Sequence, residues 1–206
     1  MNYKTNQEEF WAGEFGCDYI QRNTGKHLLA SNLHFFATAL RTAARLSNCL
    51  ELGANVGMNL RALALLYPNL NLHAVEINPE AAKQLSQIIP EQNVVCDSIL
   101  NYKHETQFDL VITKGVLIHI DPHHLGDVYR VLEKTTRRYL LIAEYYNPTP
   151  VELPYRGHQG KLFKRDFAGE FLETYPHFSL LDSGFAYRRN TNAPQDDINW
   201  FLIEKR

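Results

Sequence analysis

Apolar residues along this chain fall into two kinds of run. Short, nearly unbroken apolar stretches recur near 48–52, 70–76, 93–96, 108–114 and 138–144. Runs of that kind mark strands buried on both faces of a parallel sheet. Between them the apolar positions return at helical spacing. Ser31 stands as an N-cap before Leu33, Phe36, Ala37 and Leu40. A second helix is predicted over 56–67, with Leu60, Leu63, Ala64 and Tyr67 as one stripe and Pro68 as its stop. Asn78 and Pro79 open a third, which carries Leu85, Ile88 and Ile89 and ends at Pro90. Asp121 caps a helix over 122–132, and Asp166 caps one carrying Phe167, Phe171, Leu172 and Tyr175. Two strands, about 178–187 and 199–205, close the chain around the polar turn 188–197, as an antiparallel pair at a sheet edge. Five strands alternating with helices, then a hairpin, predict a three-layer α/β sandwich.

Two segments fit none of these layers. Thr5 to Glu8 has the capping-box pattern, and an aromatic turn, Trp11 to Gly16, follows it. Residues 1–30 are therefore expected to form a lid or approach segment. Residues 145–165, rich in Pro, Gly, Tyr and basic side chains, form an insertion. With 206 residues the chain is expected to be a single domain, 1–206. A net charge of −2 argues against recognition of nucleic acid or an anionic membrane by bulk charge. Three scattered cysteines without a CxxC pair favour a reducing compartment. No apolar leader or spanning run is seen, so a cytoplasmic location is expected. His119, His123 and His124 lack a regular ligand spacing, and no metal is expected.

In open α/β sheets, ligands bind beyond the carboxyl ends of the strands. Those ends carry Glu51-Leu-Gly-Ala-Asn-Val-Gly57, Glu76, Asp97-Ser98, Lys114-Gly-Val-Leu and Glu144-Tyr-Tyr. Gly53 and Gly57 permit a tight turn and close approach of backbone to ligand. Glu76 follows Gly57 by nineteen residues, the spacing at which an acid meets a ribose diol. A dinucleotide fingerprint would need glycine where Asn55 and Met58 stand. Glu51, on the strand itself, is placed to face the amino group of an amino-acid moiety.

These elements resemble motifs I to III of the class I S-adenosylmethionine-dependent methyltransferases over about residues 48–145. The resemblance implies a Rossmann-like, seven-stranded sheet of order 3-2-1-4-5-7-6 with strand 7 antiparallel. It implies S-adenosylmethionine as cofactor, with S-adenosylhomocysteine as product. The cofactor set it implies is Glu51, Gly53, Ala54, Asn55, Gly57, Asn59, Glu76, Ile77, Asp97, Ser98, Lys114, Gly115 and Val116. A narrower resemblance covers nearly the whole chain. Trp11-Ala-Gly-Glu-Phe-Gly, Tyr19-Ile-Gln-Arg-Asn, Gly115-Val-Leu-Ile-His-Ile, Glu144-Tyr-Tyr-Asn-Pro-Thr-Pro and the run from Tyr155 to Phe167 are similar to the methyltransferases associated with pseudaminic acid biosynthesis. That resemblance implies a nonulosonic sugar, or its CMP-activated form, as acceptor. A protein or peptide acceptor is the alternative enzyme reading, and a cofactor-binding module without turnover the non-enzyme one. The base-methylating signature Asn/Asp-Pro-Pro-Tyr is replaced here by Thr113-Lys-Gly-Val.

His119 is the first candidate base, with Glu144 and Tyr145 beside it as further catalytic candidates. Candidate acceptor contacts are Trp11, Tyr19, Arg22 and Asn23 in the N-terminal segment, and Tyr146, Arg156, His158, Lys161 and Lys164 in the insertion. The basic members of this set would suit a carboxylate or phosphate.

Overall fold

The computed structural model describes residues 3–22, 25–103 and 106–206. Its centre is a seven-stranded sheet. The strands are β1 (Asn48–Leu52), β2 (Asn71–Glu76), β3 (Val94–Cys96), β4 (Phe108–Lys114), β5 (Thr136–Glu144), β8 (Phe178–Ala186) and β9 (Ile198–Lys205). Their order is β3-β2-β1-β4-β5-β9-β8. The pairings from β3 to β5 are parallel, and β9 runs antiparallel to both β5 and β8. This is the expected order, with β8 and β9 in the places of strands 6 and 7. The numbers shift because residues 145–165 contain a separate hairpin, β6 (Val151–Tyr155) and β7 (His158–Lys164). Arg156 and Gly157 both have positive φ, 50° and 88°, as a two-residue hairpin turn requires.

Alternate residues of each buried strand feed opposite faces, so the sheet has a core on either side. On one face Phe36 and Leu40 pack with Leu60 and Leu63 of α4 (Met58–Leu66) over Cys49, Leu110 and Leu141. Phe36 belongs to α3 (Lys26–Ala39). On the other face α6 (Leu125–Thr135) and α7 (Phe167–Thr174) bring Val128, Leu132, Phe167 and Phe171 against Leu50, Val111 and Leu140. These are the three layers.

Several local expectations are corrected. Ser31 is no cap: α3 begins at Lys26, and Ser31 is buried in its middle. The buried face of α3 is Ser31, Asn32, Phe35, Phe36 and Ala39, while Ala37 is exposed. The second helix starts at Met58 because Gly57 is left-handed (φ 74°), and Ala64 faces outward. Residues 11–16 form no simple turn. Two short helices, α1 (Asn6–Ala12) and α2 (Glu14–Ile20), meet at Gly13. Asp121 caps a 3-10 turn, Pro122–His124, before α6 begins. The helix opened by Asn78, α5 (Pro79–Leu85), stops at Leu85; Ile88 and Ile89 pack beyond its end.

Candidate active site

One cavity of about 260 Å³ opens over the carboxyl ends of β1, β2, β3 and β4. Each wall follows from local chemistry. The turn after β1 has Gly53 (φ 76°), Asn55 (φ 47°) and Gly57 (φ 74°), three left-handed residues in five. A Cβ on Gly53 would lie 2.6 Å from Val116 Cγ2, so this turn and the one after β4 are packed as close as glycine permits. Gly115 (φ 68°) has open space where a side chain would stand, leaving a cradle in the cavity floor.

Glu76 ends β2 and binds the turn after β1. Its Oε2 accepts from the Asn55 N–H at 2.7 Å and its Oε1 from the Asn78 N–H at 2.8 Å. Burial pushes its pKa up, and the backbone donors act against that shift. Asn78 has two tasks. Its Oδ1 caps α5 through Glu80 N and Ala81 N, and its Nδ2 donates to the carbonyls of Trp11 and Ala12. The cap of one helix thereby holds down the lid. Asp97 Oδ1 accepts from Ser98 N and Asn101 Nδ2.

Glu51 lies beneath this surface and does not line the cavity. Its Oε1 accepts from Asn59 Nδ2 at 2.6 Å, while its Oε2 is buried without a partner among the described residues. Burial raises its pKa to about 8, with the hydrogen bond from Asn59 and the charge of Lys114 opposing. Glu51 was expected to face the ligand directly; it is Asn59, held by Glu51, that lines the cavity. Gly57 likewise packs away from the cavity, against Leu85 and Ile88. Gly53, Ala54, Asn55, Asn59, Glu76, Ile77, Asp97, Ser98, Lys114, Gly115 and Val116 all line it. Lys114 Nζ stands 5.4 Å from the centre of the Phe35 ring, and burial lowers its pKa against the pull of Glu51, Asp196 and Glu144.

His119 lines the cavity with Trp11 and Tyr155, ring centres 4.6 and 4.7 Å away. Its Nδ1 lies 2.6 Å from the Lys161 carbonyl oxygen. A carbonyl only accepts, so the proton sits on Nδ1 and the Nε2 lone pair is left over. Burial lowers the imidazole pKa to about 4, so the ring is neutral at physiological pH. Tyr145 also lines the cavity, and burial raises its phenol pKa.

Glu144 does not reach the cavity, which corrects its placement among the catalytic candidates. Its Oε1 accepts from Thr113 Oγ1, Val116 N and Leu117 N, and its Oε2 from Ile118 N. It holds the 3-10 turn, Leu117–His119, on which His119 rides.

Of the expected acceptor contacts, Trp11 and Tyr19 line the cavity; Arg22, Tyr146, Arg156, His158, Lys161 and Lys164 do not. Asn23 lies outside the described residues. The basic side chains of the hairpin have other partners. Lys161 Nζ donates to Asn6 O at 2.7 Å and sits over Phe10. Lys164 stands over Tyr145 and Arg156 over Tyr155. The His158 ring packs on Phe10 and Phe15. The hairpin thus latches α1 through Lys161 and His158. Sequence reasoning missed Glu8, Asn32, Asp121, Gln195 and Asp196, all of which line the cavity. Gln195 Nε2 donates to Asn32 Oδ1 at 3.1 Å, joining the loop before β9 to α3.

The residues present fit an adenosyl amino acid. A buried carboxylate, an acid at the third strand end and the open cradle at Gly115 follow one another along a single cavity. The comparisons agree. Residues 50–140 match the methyltransferase domain family. No match is found among curated protein sequences. Among solved structures, the 1,6-didemethyltoxoflavin N1-methyltransferase of Burkholderia thailandensis aligns with 100% of this chain and 93% of its own, at 17% identity and a TM-score of 0.68. The magnesium protoporphyrin IX methyltransferase of Synechocystis PCC 6803, with bound S-adenosylhomocysteine, covers 97% of each chain at 14% identity and a TM-score of 0.69. The mitomycin 7-O-methyltransferase is matched over 98% of this chain and 61% of its own, at 13% identity and a TM-score of 0.67. At such identities these structures show the fold, and the fold is the Rossmann-like methyltransferase sandwich. The domain match over residues 50–140 adds the chemistry: this is an enzyme that transfers methyl groups, and S-adenosylmethionine is its cofactor.

Proposed function

We propose that residues 1–206 work as one unit that methylates an oxygen or nitrogen of a small acceptor. Residues 1–30 act as its lid and the 145–165 hairpin shapes its acceptor end. The observation that carries this reading is the cavity beyond Gly115, where Tyr19, Tyr145, Tyr155 and His119 line the same space as the donor residues. Helices α1 and α2 roof that space, which suits a small molecule better than a polypeptide. Solved relatives of the same fold are named for small acceptors, a toxoflavin precursor at N1 and mitomycin at a 7-oxygen.

When bound, S-adenosylmethionine supplies an electrophilic methyl group on a sulfonium. The chain's own residues then align and desolvate. Glu76, Asn55, Asp97 and Ser98 hold the adenosine end, and Asn59 and Lys114 the amino-acid end. His119 Nε2 accepts a hydrogen bond from the acceptor's O–H or N–H and so orients its lone pair. With a pKa near 4 the imidazole is a weak base. The ring therefore chiefly orients the acceptor, and the proton its O–H or N–H releases on methylation passes to solvent.

The finer reading is an anionic nonulosonic-type sugar. Its support is the motif resemblance along almost the whole chain, together with flat aromatic walls that suit the C–H faces of a sugar ring. Arg156, exposed over Tyr155, and Lys164, over Tyr145, are cations beside that wall. The test is incubation with labelled S-adenosylmethionine, CMP-nonulosonic acids, the free sugars and candidate proteins. Label in the sugar supports the finer reading; label confined to protein rejects the small-acceptor reading altogether. Cytoplasmic residence belongs to the same proposal. Among the described residues no helix is long and apolar enough to cross a membrane.

A further inference from the structure

Helix α1 carries three buried polar atoms without partners among the described residues, on side chains that line the cavity. Gln7 Oε1, Glu8 Oε1 and Trp11 Nε1 are all buried and make no hydrogen bond among the described residues, and all three residues line the cavity. Glu8 is the most informative of them. It is 6% exposed, and one of its oxygens is fully committed. Oε2 accepts from Lys4 N at 2.6 Å and from Thr5 N at 2.8 Å, the reciprocal half of the capping box. The carboxylate is therefore fixed in place, with its other oxygen left over. A buried carboxylate oxygen without a donor is costly, and a ligand N–H removes that cost. The place of Glu8 is also fixed. Lys4 Nζ donates to the Leu100 carbonyl at 2.9 Å, which ties the start of α1 to the turn after β3. That turn carries Asp97, Ser98, Ile99 and Leu100, which line the cavity beside Glu8 and Thr5.

We propose that Glu8 is a specificity residue for the base of the methyl donor, its free oxygen accepting a hydrogen bond from the exocyclic amine of adenine. The inference rests on the donor assignment given above. In an N9-substituted adenine the exocyclic amine is the only N–H group, and it has two hydrogens. Two carboxylates, Asp97 and Glu8, line that end of the cavity from different elements, one for each. The N-terminal helix thus recognises the donor, and acceptor recognition falls to Tyr19, Tyr145 and Tyr155.

The test is calorimetric binding of S-adenosylhomocysteine and S-inosylhomocysteine, in which a carbonyl replaces the amine. The full chain is used, and no turnover is needed. Wild type is expected to prefer the adenosyl compound. In Glu8→Gln the amide oxygen can keep the two backbone hydrogen bonds while its NH₂ faces the base. The adenosyl compound then weakens about tenfold or more and the inosyl compound gains. A residue that only holds the helix would weaken both compounds equally, so an unchanged ratio overturns the proposal. If Glu8→Gln does not fold, Glu8→Asp, which shortens the arm and keeps the charge, is expected to reduce the preference; an unchanged preference again overturns it. Failure of S-adenosylhomocysteine to bind wild type would instead remove the donor assignment itself.

Discussion

At the scale of single residues, Gly53 is constrained twice over, by its backbone and by its neighbour. Its φ of 76° is left-handed, and an added Cβ would press into the Val116 side chain. Gly53→Ala is expected to cost about 1–3 kcal/mol in urea denaturation, from backbone strain and overpacking together. Adding Val116→Ala should return the overpacking part and leave the strain, so a double variant fully restored to wild type would contradict this division. His119 makes a second case. Its Nδ1 proton is committed to Lys161 O, and its pKa is near 4. Turnover of wild type should therefore show no inflection near pH 6.5 attributable to this ring. His119→Ala should lower turnover about 100-fold while S-adenosylhomocysteine affinity stays within about twofold. A loss of affinity matching the loss of turnover would make His119 a structural residue.

At the scale of elements, the turn Leu117–His119 depends on Glu144, which receives three backbone N–H groups and the Thr113 hydroxyl. Glu144→Ala leaves those donors buried and unpaired. It is expected to destabilise the chain by about 3 kcal/mol and to displace Val116 from the cavity wall. Sequence could not separate this role from catalysis, because a glutamate ending a strand over a ligand site looks the same in either case. What was legible had a local cause. The apolar run 108–114 is β4 with the bounds it was expected to have, and Thr5, Asn78 and Asp166 cap as their side chains dictate. Ser31 misled because it has the chemistry of a cap but lies on the buried face of α3. The β6–β7 hairpin was missed because β6 is short and mostly exposed, β7 buries only Leu162, and Pro154 interrupts the pattern. Gln195 and Asp196 were missed because only the antiparallel return of β9 carries their loop back over the cavity. The hairpin's effect is measurable. Lys161→Met keeps the stem over Phe10 but removes the bond to Asn6 O. It should ease opening of α1 by about 1 kcal/mol, seen as faster proteolysis within residues 3–22.

At the scale of the whole molecule, the cavity is built over carboxylates that folding holds out of water, and stability therefore depends on pH. Glu51 rises from 4.5 in the open chain to about 8, and Glu144 from 4.5 to about 7, both chiefly through burial. Between the open-chain and folded values the native state keeps a proton that the unfolded chain has released, so each group makes stability fall as pH rises. His119 acts in the opposite sense. Its pKa drops from 6.5 to about 4, so below pH 6.5 the unfolded chain holds the extra proton and stability rises with pH. Between 4.5 and 6.5 the imidazole thus offsets one of the two acids. Above 6.5 that offset is gone. Glu144 contributes up to about 7 and Glu51 up to about 8, at a slope of roughly 1.4 kcal/mol per pH unit for each group. The ligand-free chain should accordingly lose stability from pH 6.5 to 8 in urea titrations. Glu51→Gln, which keeps an oxygen for Asn59 and places an NH₂ at the unpartnered position, should flatten the segment from 7 to 8. A wild-type stability that climbs across that segment, or a Glu51→Gln curve parallel to it, would mean that Glu51 is ionised in the folded chain and paired with Lys114.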